Sequence, residues 1–158
     1  VDRAGGSRSE AALLTGLSVL AEGGCIGIYP EGTRSPDGRL YRGRTGIARL
    51  AIMTKVPVIP CAQWGAQDLL PPYSKRPYLF PRKLTKVTAG PPLDFSRWYG
   101  REDDIEALNE ATTYVMDAIT GMVETLRGEK APAQRLDPRT TSLPPTGNFR
   151  KKSKGSDK

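Results

Sequence analysis

Cys25-Ile26-Gly27-Ile28-Tyr29-Pro30-Glu31-Gly32-Thr33-Arg34-Ser35 is the stretch on which the reading of this chain turns. Its first five residues form a short apolar run, the pattern of a buried strand. The next six are its opposite: a proline, an acid, a glycine, two hydroxyls and an arginine. A loop of that composition at the end of a strand is suited to hold an anion. Gly32 lets a ligand come close to the backbone. Thr33 and Ser35 carry hydroxyl donors, and the planar fork of Arg34 can meet two phosphate oxygens at once. Strand ends are also where ligands settle in open α/β sheets. Glu31 repels phosphate, so its uses are to hold Arg34 or to accept a hydrogen bond from a substrate hydroxyl.

Working outward, Ser7 and Glu10 have capping-box spacing and open a helix. Leu13, Leu14, Leu17, Leu20 and Ala21 fall on one face of it, and Gly23-Gly24 ends it. Downstream, Pro36-Asp37-Gly38 marks a turn in a polar loop. A second helix is predicted from about Thr45, lined by Ile47, Leu50, Ala51 and Thr54, and ending before Pro57. Residues 56–62 (Val-Pro-Val-Ile-Pro-Cys-Ala) read as a strand whose two prolines limit its ladder. Residues 64–82 are loop, rich in proline and aromatic residues, and 86–89 form a further strand. The last helix has acids at 102–104 for its positive end. Its apolar stripe is Ile105, Leu108, Val115, Ile119, Met122 and Leu126, and Arg127-Gly128 close it. Helix and strand alternate, so the expected class is α/β, with a mixed sheet flanked by helices.

The 158 residues carry a net charge of +7, concentrated toward the end. Residues 129–158 hold 8 Lys or Arg against 3 Asp or Glu. Together with Pro132, Pro138, Pro144 and Pro145, that makes 128–158 a disordered basic tail by composition. The rest of the chain is nearly neutral, which argues against nucleic acid as a partner. No apolar run reaches the length of a membrane span. Cys25 and Cys61 sit in apolar contexts and read as small core residues. With no histidine in the chain, a Cys-His nucleophile or a Cys-His metal cluster is not expected. The chain starts at Val1, with Arg3 close to a Gly-Gly pair, which reads as a fragment lacking its N-terminal part.

The blocks and their order resemble the glycerolipid acyltransferases, specifically the 1-acylglycerol-3-phosphate acyltransferases. That family's third block, an apolar strand followed by Pro-Glu-Gly-Thr-Arg-Ser, stands complete at residues 30–35. Its fourth is similar to residues 56–60, and its intervening basic, glycine-containing stretch is similar to Tyr41-Arg42-Gly43-Arg44-Thr45-Gly46. Asp2-Arg3 look like the end of the second block. The first block, a His and an Asp separated by four residues, is absent and is expected upstream of Val1. The resemblance covers residues 1–127, the C-terminal part of an acyltransferase domain.

The resemblance implies transfer of a fatty acyl group from acyl-CoA or acyl carrier protein to the sn-2 hydroxyl of 1-acylglycerol-3-phosphate, giving phosphatidic acid. It implies no cofactor and no metal. The catalytic His and Asp lie outside these residues, so the fragment is expected to be inactive alone. Substrate-binding roles carry over to Arg3, Glu31, Gly32, Thr33, Arg34 and Ser35, with Arg34 and Arg3 on the phosphate. The expected partners are a lysophospholipid, an acyl donor and a membrane surface, met peripherally from the cytoplasmic face. Trp64, Tyr73, Tyr78 and Phe80, close to Lys75, Arg76, Arg82 and Lys83, suit either a membrane interface or an acyl-CoA entrance. The competing readings are a non-catalytic anion- or lipid-binding module, acylation of another lysolipid, and a phosphosugar or nucleotide enzyme. The last lacks any Gly-x-Gly-x-x-Gly or Gly-Lys-Ser/Thr phosphate loop.

Overall fold

The computed structural model describes residues 6–32, 40–71, 74, 76–132 and 135, with the side chains of 6–9 left aside. The order of elements is α1 (Gly6–Ala21), α2 (Gly46–Thr54), β1 (Cys61–Trp64), a single helical turn α3 (Ala66–Leu69), β2 (Lys86–Ala89), a 3-10 turn (Ser96–Trp98) and α4 (Ile105–Arg127). The α/β class is therefore observed. The sheet among the described residues consists of β1 and β2, paired antiparallel with Cys61 opposite Ala89 and Trp64 opposite Lys86.

The helices begin and end where local chemistry directs. Gly23 takes φ +78°, and the Gly24 N–H donates to the Val19 carbonyl at 2.8 Å, closing α1. Lys55, at φ 56°, ends α2 with its N–H on the Ala51 carbonyl, two residues ahead of Pro57. Asp104 caps α4, its carboxylate accepting from the N–H groups of Glu106 and Ala107. Gly128 closes that helix in the left-handed region.

The core lies where α2, α4 and the 3-10 turn meet. Ala48, Ala51 and Ile52 of α2 pack with Ala107, Leu108, Ala111 and Val115 of α4, and with Phe95 and Trp98. Small residues on the facing helices leave room for the large rings. Phe95, Trp98 and Tyr114 have centroids 5.5 to 6.2 Å apart in tilted and edge-on arrangements. The buried Trp98 Nε1–H donates to Glu110 at 3.0 Å, so its one polar group is satisfied. On the other side α1 lies against α2, with Gly16 letting the Leu50 side chain close in.

Several expectations are corrected. Residues 25–29 do not form a strand among the described residues. They have no regular secondary structure and are mostly exposed, with Tyr29 at 77%. A strand requires a partner for its N–H and C=O groups as well as apolar side chains, and no described strand lies alongside. Residues 56–60 contribute one isolated bridge, Val58 to Leu93. The regular strand starts only at Cys61, beyond the second proline, because proline has no N–H to give the ladder. Cys25 and Cys61 are both exposed rather than core. Cys61 and Gln63 point to the open face of the sheet, whereas the buried Ala62 sits on the other face. In α4 the stripe is right at Leu108 and Val115, but Ile105 is 66% exposed and Ala107, Ala111, Thr112 and Met116 take buried places. Periodicity in large apolar residues passes over alanine, which carries the close helix contact here. The basic tail from 136 onward lies outside the described residues.

Candidate functional site

The site is built at the base of the loop that carries residues 30–35. Tyr29 runs into a tight turn in which the Gly32 N–H donates to the Tyr29 carbonyl at 3.0 Å. Gly32 adopts φ +66°, a conformation that costs a residue with a Cβ but not glycine. The loop returns at Tyr41, and two cross-ties join its two ends. The Tyr41 N–H donates to the Glu31 carboxylate at 2.7 Å, and the Arg44 N–H donates to the Pro30 carbonyl at 2.8 Å.

The returning strand of the loop is itself seated on α4. A Cβ at Gly43 would stand 2.8 Å from Thr112 Cγ2 and 2.9 Å from Met116 Cγ, so this backbone lies directly on the helix. Tyr41 is buried. Arg42 reaches Asn109 Oδ1 at 3.3 Å. With its neighbours held in this way, Arg44 turns back over the turn. A Cβ at Gly32 would meet Arg44 Nε at 2.9 Å and Cδ at 3.1 Å. In this structure the close approach that Gly32 permits is used by the Arg44 side chain.

Glu31 is half-buried at the same point. Burial pushes its carboxyl above the ordinary range, and the hydrogen bond from the Tyr41 N–H partly opposes that rise. Its role among the described residues is therefore to brace the loop through Tyr41. Of the predicted site residues, the structure places Glu31 and Gly32 together. Arg3, Thr33, Arg34 and Ser35 lie outside the described residues. Arg44 was overlooked as a site residue. Its signal was the basic Gly-containing stretch 41–46, read only as a lead-in to α2. The combination is an anion-receptive loop base: a glycine turn, an exposed guanidinium over it, and a half-buried acid that ties the turn to Tyr41.

Comparison with known proteins agrees with that chemistry. Residues 1–64 match the Acyltransferase family model. A 1-acyl-sn-glycerol-3-phosphate acyltransferase of Bacillus subtilis is 36% identical over 105 residues, which is 64% of this chain and 47% of that protein. Over these residues the chain is similar to the 1-acyl-sn-glycerol-3-phosphate acyltransferases. A chloroplastic 1-acyl-sn-glycerol-3-phosphate acyltransferase of Brassica napus is 36% identical over 55 residues, 35% of this chain and 16% of that protein. The crystal structure of the 1-acyl-sn-glycerophosphate acyltransferase PlsC from Thermotoga maritima superposes with a TM-score of 0.58 at 25% identity, over 77% of this chain and 46% of PlsC. The chain thus spans about half the length, or less, of these relatives. No helix among its described residues is long and apolar enough to cross a membrane.

Proposed function

We propose that the protein to which this chain belongs transfers a fatty acyl group from acyl-CoA or acyl carrier protein to the sn-2 hydroxyl of 1-acylglycerol-3-phosphate. The observation that supports this most is the complete Pro-Glu-Gly-Thr-Arg-Ser block, with its first two residues fastened by Glu31 to Tyr41 and by Pro30 to Arg44. Arg34 and Arg3 grip the substrate phosphate, with hydroxyl donors from Thr33 and Ser35, and Arg44 adds positive charge at the loop base. The grip holds the sn-2 hydroxyl against the acyl thioester. Its oxygen forms the new ester bond, the C–S bond breaks, and the hydroxyl proton passes by way of a base to the departing thiolate. Converting a two-substrate encounter into a held geometry supplies a large part of such a rate enhancement.

The chain contains no histidine, so a histidine base with its Asp comes from outside these residues, and residues 1–158 alone are inactive in this reading. It assigns 1–127 to the acyltransferase domain and the remainder to a tail. No cofactor or metal enters, and the enzyme works peripherally at the cytoplasmic face of a membrane. The same lack of histidine favours the second reading, a non-catalytic module that binds anions or lipids.

Arg34→Ala in the complete protein, assayed with acyl-CoA and 1-acylglycerol-3-phosphate, decides between the two. A charged hydrogen bond contributes about 1.5–3 kcal/mol, so kcat/KM is expected to fall between about tenfold and a hundredfold, mainly through KM for the lysolipid. An unchanged KM removes Arg34 from the phosphate. A complete protein with no acylation leaves only the binding module.

A further inference from the structure

The segment between α3 and β2 exposes an unbroken surface of unusual composition. Each of the twelve residues 76–87 is exposed. Among them are Phe80 at 86%, Leu84 at 73% and Val87 at 70% exposure, together with Tyr78 and Leu79. Arg76, Arg82, Lys83 and Lys86 are interleaved with these, and from Leu69 to Leu93 the sequence has no Asp or Glu. Folded chains do not normally leave so many large apolar side chains side by side in water.

The surface is rooted at both ends. The Tyr78 N–H donates to the Leu69 carbonyl at 2.7 Å. The Leu84 carbonyl lies so close over Gly65, itself at φ +98°, that no Cβ fits there. Val87 is then fixed opposite Gln63 on the open face of the sheet. The apolar side chains are held outward by backbone constraints rather than left loose.

We infer that residues 76–87 form a docking surface for a bilayer containing anionic lipid. Phe80, Leu79 and Leu84 enter the acyl boundary, Tyr78 sits at headgroup level, and the four cations meet lipid phosphates. Charge complementarity selects this occupant. Cations interleaved with apolar side chains, in a stretch of sequence without an acid, match a surface that is anionic outside and apolar beneath. The inference extends the reading of the protein as an enzyme with a lipid substrate, and it specifies which face meets the membrane.

The test uses the complete protein with Cys25→Ser and Cys61→Ser, and with Phe80→Cys carrying an environment-sensitive NBD label. Phosphatidylcholine vesicles are compared with vesicles that also contain phosphatidylglycerol. Label emission is expected to rise and shift to the blue with the anionic vesicles, and to reverse in high salt. Arg82→Gln and Lys83→Gln are each expected to weaken vesicle binding about fivefold. Phe80→Ser is expected to lose acylation of vesicle-embedded lysolipid while retaining acylation of detergent-dispersed lysolipid.

A label that is silent with vesicles overturns the inference. So does a label that responds to monomeric acyl-CoA instead, or a Phe80→Ser protein that melts at markedly lower temperature, which would mean that the ring is covered by protein. Vesicle insertion without acylation in detergent upholds the docking surface and removes the acyltransferase reading.

Discussion

Residues 25–29 and residues 61–64 are both short, cysteine-led runs of similar length, yet they meet different fates. The first, Cys-Ile-Gly-Ile-Tyr, is the more apolar and the better strand by composition. It is unpaired among the described residues and largely exposed. The second, Cys-Ala-Gln-Trp, is the poorer strand by composition. It pairs along its whole length with β2 and turns its inner face to α4. On that face Ala62 is buried, and the Arg127 guanidinium stacks 4.3 Å from the centre of the Trp64 ring. What makes a strand is a neighbouring ladder and a surface to cover, and apolar content alone secures neither.

The largest expected effect breaks the second run. Ala62→Asp places an ionised carboxylate on the buried face of β1 against α4, where the neighbouring cation, Arg127, is already engaged with the Trp64 ring and Glu129. An uncompensated buried charge costs about 3–5 kcal/mol, a large share of the stability of a typical domain. Urea denaturation of the chain should show that loss, or no folded baseline. A loss below about 1 kcal/mol, the scale of an ordinary substitution, would mean that the β1–α4 contact is not a dry one.

That contrast also shows how far the fold could be read from sequence. The long helices were legible from signals at their ends, Asp104 and Gly128 around α4, Gly23 after α1 and Pro57 beyond α2, whereas the single turn α3 lies inside residues 64–82, which read as loop. Strand β2 was legible at its observed bounds. Strand 25–29 was not, because pairing is a property of two segments and only one was being read. The Trp98 centre was missed for a related reason, since its partners Ala48, Ala107 and Ala111 are too small to register as a stripe. At the site, the glycine turn and Glu31 were legible from the block. The brace from Glu31 to Tyr41 spans ten residues and the position of Arg44 twelve, and no local pattern encodes either closure.

A smaller effect tests how the first run is tethered. Its downstream end is held by the Glu31 brace, and burial raises the Glu31 carboxyl pKa above 4.5. A raised acid binds its proton more tightly when folded, so its contribution to stability falls as pH rises from about the unfolded value toward the folded one, and is level above that. Glu31→Gln keeps an acceptor for the Tyr41 N–H and removes the ionisation. Wild-type stability minus that of Glu31→Gln should therefore decline as pH increases beyond about 4.5 and then flatten. Measuring the difference cancels Asp94, Asp104 and Glu124, whose pKa values are lowered and which act in the opposite sense. A flat difference would mean that Glu31 is solvated, and one that rises with pH would mean that the hydrogen bond on its carboxylate outweighs burial.

The smallest expected effect completes the comparison. Ile28→Asp makes the same chemical insult as Ala62→Asp, a new carboxylate in an apolar run, but at a side chain that is 38% exposed with no described strand beside it. Water can reach the new charge, so the change should lie within about 0.5 kcal/mol in the chain of residues 1–158. Repeating both substitutions in the complete protein turns this into a measurement of what covers the run. If Ile28→Asp then costs several kcal/mol while Ala62→Asp costs the same as before, residues 25–29 are a strand whose partners are contributed from outside these 158 residues. If both costs are unchanged, the run stays open to solvent in the complete protein, and the turn that follows it is held by the described ties at Glu31 and Arg44.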